Sequence, residues 1–393
     1  ASLSARSSYH FADMAPAAVE ALYGKTLPLS ASKLDCFAGC RYAFFLQYGL
    51  RALPWKQAEF DAPLFGSFVH DVLEHVVREA QAQGGFAALT DAQVAALTER
   101  CMDACMQTYL PQGDARASRE GYLSTRNRQE AAAVVLDVAR ELRLSQFTPA
   151  AEELTFAPGA QMPPIVYHAS RGDGLLTGKI DRVDTYEKDG TTYFRIVDYK
   201  TGRKDFSYTD LLYGKDLQML LYLFALQENQ KKSGHPMQPA GALYVPGRCD
   251  MIRLEPGEDV GEADTERRKQ LRRKGLVLQD EAILRAMEHY DDEPQYLPVQ
   301  CKKDGLTGDL ATPAQLAALE RFVTGQVAAM IDEILSGKTQ PNPVDRGPAD
   351  SACRWCDYSS ACHKDVCAVS PRRFAAVKAD EFWQEIERRQ RHG

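Results

Sequence analysis

The segment GKIDRVDTYEKDGTTYFRIVDYKTGRK, from Gly178 to Lys204, holds two aspartates and a lysine whose spacing could do chemistry. Asp189-Gly190 is a two-residue turn signal flanked on both sides by alternating runs, which predicts a β-hairpin. Paired residue numbers then add to 379. Lys188 faces Thr191, Tyr186 faces Tyr193, Val183 faces Ile196, and Asp181 faces Asp198. Directly opposed strand residues stand about 5 Å apart, and at an effective dielectric of ~20 two carboxylates that close repel by roughly 3 kcal/mol. A fold gains nothing from that pair unless something positive lies between them. Carboxylate oxygens suit a hard divalent cation, Mg²⁺ or Mn²⁺. Lys200, two residues beyond Asp198, falls on the same face by strand alternation. Taken singly, each aspartate reads as a solvent-facing strand position; the pair with its lysine reads as a metal-dependent hydrolytic site. A one-residue slip would send the acids to opposite faces, so the turn carries the reading.

A second group is sulfurous. Cys353, Cys356 and Cys362 form CxxCx₅C, three soft ligands that leave one place to fill in a tetrahedral or cubane shell. Cys40 is the choice for the fourth, with Cys36 as competitor and Cys367 less favoured. The spacing fits zinc as well as an iron–sulfur cluster. Either would join points roughly 310 residues apart, a closure costing on the order of 5 kcal/mol that a metal-held network can supply, so the cluster reads as a staple. The remaining cysteines Cys101, Cys105, Cys249 and Cys301 read as packing thiols.

The elements that must position these groups follow from periodicity. Phe65, Phe68, Val69, Val72, Leu73, Val76 and Val77 recur at helical intervals and predict an amphipathic helix over about 64–82, with Arg128–Ser145 as another. Between about Glu153 and Pro246 short β-branched and aromatic runs predict strands, interrupted by a helix over Lys215–Asn229 and ending in a buried strand at Ala242–Val245. Helical pattern returns after Pro256. Thr312-Pro313-Ala314-Gln315 is a helix start with a capping box, for a helix running to about Leu335 and stopped at Gly337; Phe374–Arg391 reads as the last helix. The organisation expected is a tail over 1–28, a helical part over 29–150, an α/β core over 151–250, a helical insertion over 251–345, and the cysteine segment with its helix over 346–393. The chain opens on Ala-Ser and reads as a piece of a longer protein.

Composition excludes more than it assigns. The 393 residues are 45% hydrophobic and 26% charged, which rules out collagen-like and wholly disordered chains. A net charge of −7 announces no global nucleic-acid field, although Arg267–Lys274 is locally basic. Ten cysteines without an export signal point to a reducing compartment, and no apolar run approaches a membrane span. Gly24-Lys25-Thr26 lacks the glycine a phosphate loop needs five residues earlier, where Val19 stands. His70 and His75 are five apart, so they do not form an HExxH zinc pair.

Asp-x₁₆-Asp-x-Lys on a hairpin resembles the PD-(D/E)xK nucleases. With LSASKLDCFAGCRYAFFLQYGL, GSFVH, GKIDRVD, IVDYKTG, LQMLLYL, PAGALYV, KKDG and the cysteine trio in that order, nearly the whole chain resembles the iron–sulfur, RecB-like nuclease domain of the AddB family. Arg41 departs from the usual proline after the cysteine. The resemblance implies a restriction-endonuclease-like α/β fold, a mixed central sheet flanked by helices, with large helical insertions. It implies that His70, Asp181, Asp198 and the Tyr199 carbonyl hold Mg²⁺ (or Mn²⁺), that Lys200 serves the attacking water, and that Gln218 and Tyr222, i and i+4 on one helix, are the QxxxY element positioning DNA and the catalytic strand. It implies a [4Fe–4S] cluster on Cys40, Cys353, Cys356 and Cys362. The expected activity is cleavage of single-stranded DNA during double-strand-break processing, beside an AddA-type helicase–nuclease subunit in the bacterial cytoplasm. A stand-alone or CRISPR-associated iron–sulfur exonuclease, or an inactive DNA-binding scaffold, are the other readings.

Overall fold

A computed structural model describes residues 12–54, 62–109, 119–248, 260–303, 305–347, 350–362 and 370–392. The chain starts with α1 (Pro16–Tyr23), β1 (Thr26–Leu29), α2 (Ala31–Gly39) and α3 (Arg41–Phe44), then three long helices, α4 (Ala62–Ala82), α5 (Asp91–Tyr109) and α6 (Arg119–Leu144). Five strands follow: β2 (Thr148–Phe156), β3 (Ile165–His168), β4 (Asp173–Leu176), β5 (Gly178–Lys188) and β6 (Thr191–Lys200). Next come α7 (Tyr208–Leu212), α8 (Gln218–Lys232), β7 (Gln238–Pro246), α9 (Val260–Leu271), β8 (Lys274–Leu278) and α10 (Glu281–Met287). The chain closes with β9 (Val299–Lys302), β10 (Gly305–Gly308), β11 (Leu310–Ala311), α11 (Pro313–Leu335), α12 (Ser359–Cys362) and α13 (Ala379–His392).

Six strands form the central mixed sheet in the order β11-β8-β7-β6-β5-β2. β2, β5 and β6 are antiparallel neighbours, while β6 and β7 run parallel. A parallel pair needs a crossover, and α7 and α8 supply it. Strand alternation then divides the layers. Val197, Tyr199 and Val245 enter the apolar core under α4, α5 and α6, whereas Ile196, Ala242 and Tyr244 enter the larger core with α8 and α11. All seven apolar residues expected on the α4 stripe are buried. The α11 start is capped as expected: Thr312 accepts from the Gln315 backbone, and the Gln315 side chain answers on the Thr312 N–H.

The strand content differs from expectation in two places. The segment expected to be a helical insertion contributes β8 and β11 to the central sheet, so the strand ending at Pro246 is not the last. β8 is only five residues long and flanked by helices, which weakens any periodic signal. A second sheet, β1-β4-β3, joins the expected tail to the core through parallel pairing of β1 with β4. That pairing spans about 147 residues and leaves no local trace.

Candidate active site

The hairpin forms in the expected register. Asp189 and Gly190 take φ values of +51° and +74°, the left-handed pair that a two-residue type I′ turn requires. Lys188–Thr191, Tyr186–Tyr193 and Val183–Ile196 are all paired. The ladder ends at Arg182–Val197, one step before the two aspartates. There a side chain takes over from the backbone: Asp181 Oδ2 accepts from the Tyr199 N–H at 2.8 Å. This bond fixes Asp181 against the strand that carries Asp198.

Lys200 and Gln218 complete the inner side. The Lys200 ammonium lies 2.5 Å from Asp198 Oδ2. Gln218, at the first turn of α8, donates from Nε2 to Asp198 Oδ1 at 3.1 Å and accepts from Lys200 at 3.4 Å. Tyr222 sits one turn further on, buried, and points toward the start of β5 rather than to solvent. Its ring meets Phe156 edge-on at 5.1 Å, and its hydroxyl bonds to the Lys179 backbone. Gly178 makes that fit possible, since a Cβ there would stand 2.7 Å from both rings.

His70 arrives from the opposite layer on α4. Its Nε2 lies 2.6 Å from the Tyr199 carbonyl oxygen and its Nδ1 3.3 Å from Asp181 Oδ2. A protonated ring donates to both. Burial opposes that charge, but the hydrogen bond to Asp181 and the negative potential of Asp181 and Asp198 outweigh it, and the pKa is raised above its ordinary value. Asp198, 4% exposed, is pushed up to about 6, first by burial and next by Asp181, against the pull of Lys200. Asp181, a histidine and a backbone carbonyl therefore meet, while Asp198 feels the Asp181 charge but stands outside the group of ligand atoms that gather within 4.8 Å of one another; these donor types are ones a hard divalent cation takes.

Sequence reasoning missed two features. Glu153 on β2 is bracketed by the pairs Glu152–Arg182 and Leu154–Ile180, which sets it opposite Asp181. Ligand atoms of His70, Glu153 and Asp181 all lie within 4.8 Å of one another. Three buried arginines lie behind Tyr199. Arg182 forks onto Asp184 and donates to the Tyr199 hydroxyl at 2.7 Å. Arg195 reaches Asp184 and Glu141, and Arg273 reaches Glu141 and Asp137. Three cations match three carboxylates. Burial opposes the Glu141 charge, yet the arginines outweigh it and hold its pKa at about 2.

The cysteines gather away from the hairpin. Cys40 stands at the junction of α2 and α3, and one hollow is lined by Cys40, Cys353, Cys356 and Cys362 together. Cys36, one helical turn earlier, instead directs its Sγ to Gln47 at 3.5 Å. Its thiol is pushed up to about 12, mainly by burial. Cys101 and Cys105 are buried in the α4–α6 core, and Cys301 is half-buried on β9. Cys249 and Cys367 lie outside the described residues.

A hairpin with this acid pair and lysine, on a mixed sheet between helical layers, defines a class, and the chain belongs to it: residues 28–363 match the PD-(D/E)XK nuclease superfamily. Among curated proteins it is similar to AddB, an ATP-dependent helicase/deoxyribonuclease subunit, of Thermoanaerobacter sp. (strain X514), 31% identical over 95% of this chain and 33% of that protein. AddB of Caldanaerobacter subterraneus subsp. tengcongensis is 32% identical over 88% of this chain and 30% of its own. That of Acetivibrio thermocellus is 31% identical over 93% and 32%. The chain thus spans about a third of the length of these relatives.

Proposed function

We propose that the chain is a divalent-metal-dependent deoxyribonuclease domain that hydrolyses single-stranded DNA within an AddAB-type helicase–nuclease, in the bacterial cytoplasm. One observation carries the reading: on neighbouring strands, Asp181 lies 3.3 Å from His70 and Asp198 lies 2.5 Å from Lys200, and the Asp181 charge helps to raise the Asp198 pKa. Asp181, Asp198, His70 and the Tyr199 carbonyl would hold Mg²⁺ or Mn²⁺. The cation, when bound, polarises a phosphoryl oxygen and lowers the pKa of water. Lys200 orients the attacking water and offsets charge gathering on phosphorus. Gln218 ties Lys200 to Asp198, so the ammonium and the carboxylate move as one. Tyr222 pins the start of β5 and thereby the height of Asp181. Arg203, Lys204, Lys269 and Lys274 line a hollow that opens beside Lys200 and supplies positive charge for a phosphate backbone.

The four cysteines that share one hollow offer a soft, all-sulfur donor set, which suits a [4Fe–4S] cluster. No described helix is long and apolar enough to cross a membrane. The relatives' names specify a helicase/deoxyribonuclease subunit, which supports a motor partner and DNA as substrate. The test is cleavage of matched single- and double-stranded oligonucleotides with MgCl₂ or with EDTA, using the wild type and Lys200→Ala. Metal-dependent cutting of the single strand, lost in the variant, is expected. Undiminished cutting by Lys200→Ala refutes the site.

A further inference from the structure

We infer that Arg182 and the Tyr199 hydroxyl form a positioning clamp, a single buried bond that fixes the stretch of backbone meeting His70 and Asp181. The inference rests on the metal-site reading above and extends it to two side chains on the dry side of the sheet. Tyr199 serves the site through its main chain. Its N–H donates to Asp181 Oδ2 at 2.8 Å, and its carbonyl oxygen lies 2.6 Å from His70 Nε2. Backbone pairing of β5 with β6 stops at Arg182–Val197, two residues short of Tyr199. Two side-chain bonds then tie the strand ends. Asp181 makes the first, and Arg182 makes the second by donating from Nη1 to the Tyr199 hydroxyl at 2.7 Å. By strand alternation Asp181 and Arg182 lie on opposite faces, so the end of β6 is held from both.

Burial makes the clamp stiff. The Tyr199 ring is buried in the apolar core under α4, α5 and α6. Packing there asks only for a ring, and a phenol without a partner in such a place is unfavourable. Arg182, itself fully buried, supplies the partner. It cannot swing away, because its Nε and Nη2 fork onto Asp184 at 2.8 and 3.0 Å, and Arg195 holds that carboxylate in turn at 2.8 Å. Moving the guanidinium would break a buried ion pair, which is strongly destabilising. Arg182 also follows Asp181 directly in the chain, so one fixed side chain sets both the carboxylate on β5 and the carbonyl on β6. Groups that orient metal ligands in this way count: removing one typically costs 10–100-fold in metal affinity or activity.

Tyr199→Phe removes one oxygen and keeps the ring. In the 393-residue chain without metal, deuterium exchange of the amide at position 199 should quicken about tenfold, while the amides of α4 keep wild-type rates. Calorimetric titration should show Mn²⁺ bound about 10–100-fold more weakly. With Mg²⁺ present, kcat on single-stranded DNA should fall by a similar factor and KM should stay within about twofold, because both side chains are buried away from the substrate. Arg182→Lys keeps the charge but cannot fork onto Asp184 and reach Tyr199 together, so it should reproduce these changes. A hydroxyl that only stabilises the fold would lower the melting temperature and leave exchange at position 199, Mn²⁺ affinity and kcat at wild-type values; that pattern overturns the inference. Failure of the metal reading looks different, since Asp198→Asn would then bind Mn²⁺ like the wild type. Exchange at position 199 then decides the clamp alone: quickened exchange upholds it and an unchanged rate overturns it.

Discussion

Ionising Asp198 beside Asp181 in a nearly dry site is unfavourable, and the sign of that cost is measurable. Its folded pKa of about 6 exceeds the ordinary 3.8, so the folded chain keeps a proton that the unfolded chain has released. Its contribution to stability therefore falls as pH rises from 4 to 6. His70 works in the same direction: its raised pKa gives stability that is present below 6.5 and lost as pH climbs through the folded value. A cation reverses both effects because it requires the deprotonated forms. Thermal melts should show a larger upward shift with MnCl₂ at about pH 8 than at about pH 5, and equal shifts would contradict the assignment. Asp198→Asn should separate activity from stability. Cleavage should drop on the order of a hundredfold or more, while urea unfolding in EDTA at about pH 8 should show a gain of about 1–3 kcal/mol, since a raised carboxylate pKa marks a destabilising charge. A variant less stable than wild type would mean that the Lys200 pairing outweighs the repulsion.

At the scale of elements, the hairpin is held from behind by a chain of buried charges, and its parts are unequal in how visible they are. Arg195 links β6 to Asp184 on β5 and Glu141 on α6. Arg195→Met leaves two buried carboxylates short of a cation, and a loss of about 3–5 kcal/mol in urea unfolding is expected. A change below about 1 kcal/mol would show that Arg182 and Arg273 suffice alone. None of this network is legible in the sequence, because Arg182 and Arg195 read there as the polar side of alternating strands; their burial comes from α6, whose approach no local pattern encodes. The hairpin was legible because a two-residue turn fixes register by arithmetic. Glu153 was not, because β3 and β4 intervene before β5 and no turn ties its register to Asp181. His70 lay in plain view at the edge of the apolar stripe, but its meeting with Tyr199 depends on how α4 crosses the strand ends. Gly66 marks that crossing, where a Cβ would come 3.1 Å from Thr201 Oγ1.

Over the whole molecule, the beginning and end of the described chain are joined around the sulfurs by bonds that need no metal. The Arg41 N–H donates to Asn342 at 2.8 Å, the Val344 N–H donates to the Gly39 carbonyl at 2.9 Å, and Arg41 pairs with Glu333. Tyr358, between Cys356 and Cys362, donates to the Ala52 carbonyl at 2.8 Å. The segment around 340–344 is thus docked by the protein itself, while residues 350–362 are short turns ending in the single turn of α12 and present an exposed Trp355. If the sulfurs hold the proposed iron–sulfur cluster, removing it should therefore loosen the cysteine loop before it unfolds the sheet. Cys356→Ser should yield a colourless protein in place of a brown one and become sensitive to limited proteolysis near 350–362. The α4 and hairpin regions should keep their protection in hydrogen exchange. Cys36→Ser should stay brown, because its sulfur faces Gln47 and lies outside the hollow. If Cys36→Ser bleaches and Cys40→Ser does not, the fourth ligand is misassigned. If every variant is colourless and wild type carries zinc, the sulfurs serve a different metal and the loop remains a staple of another kind.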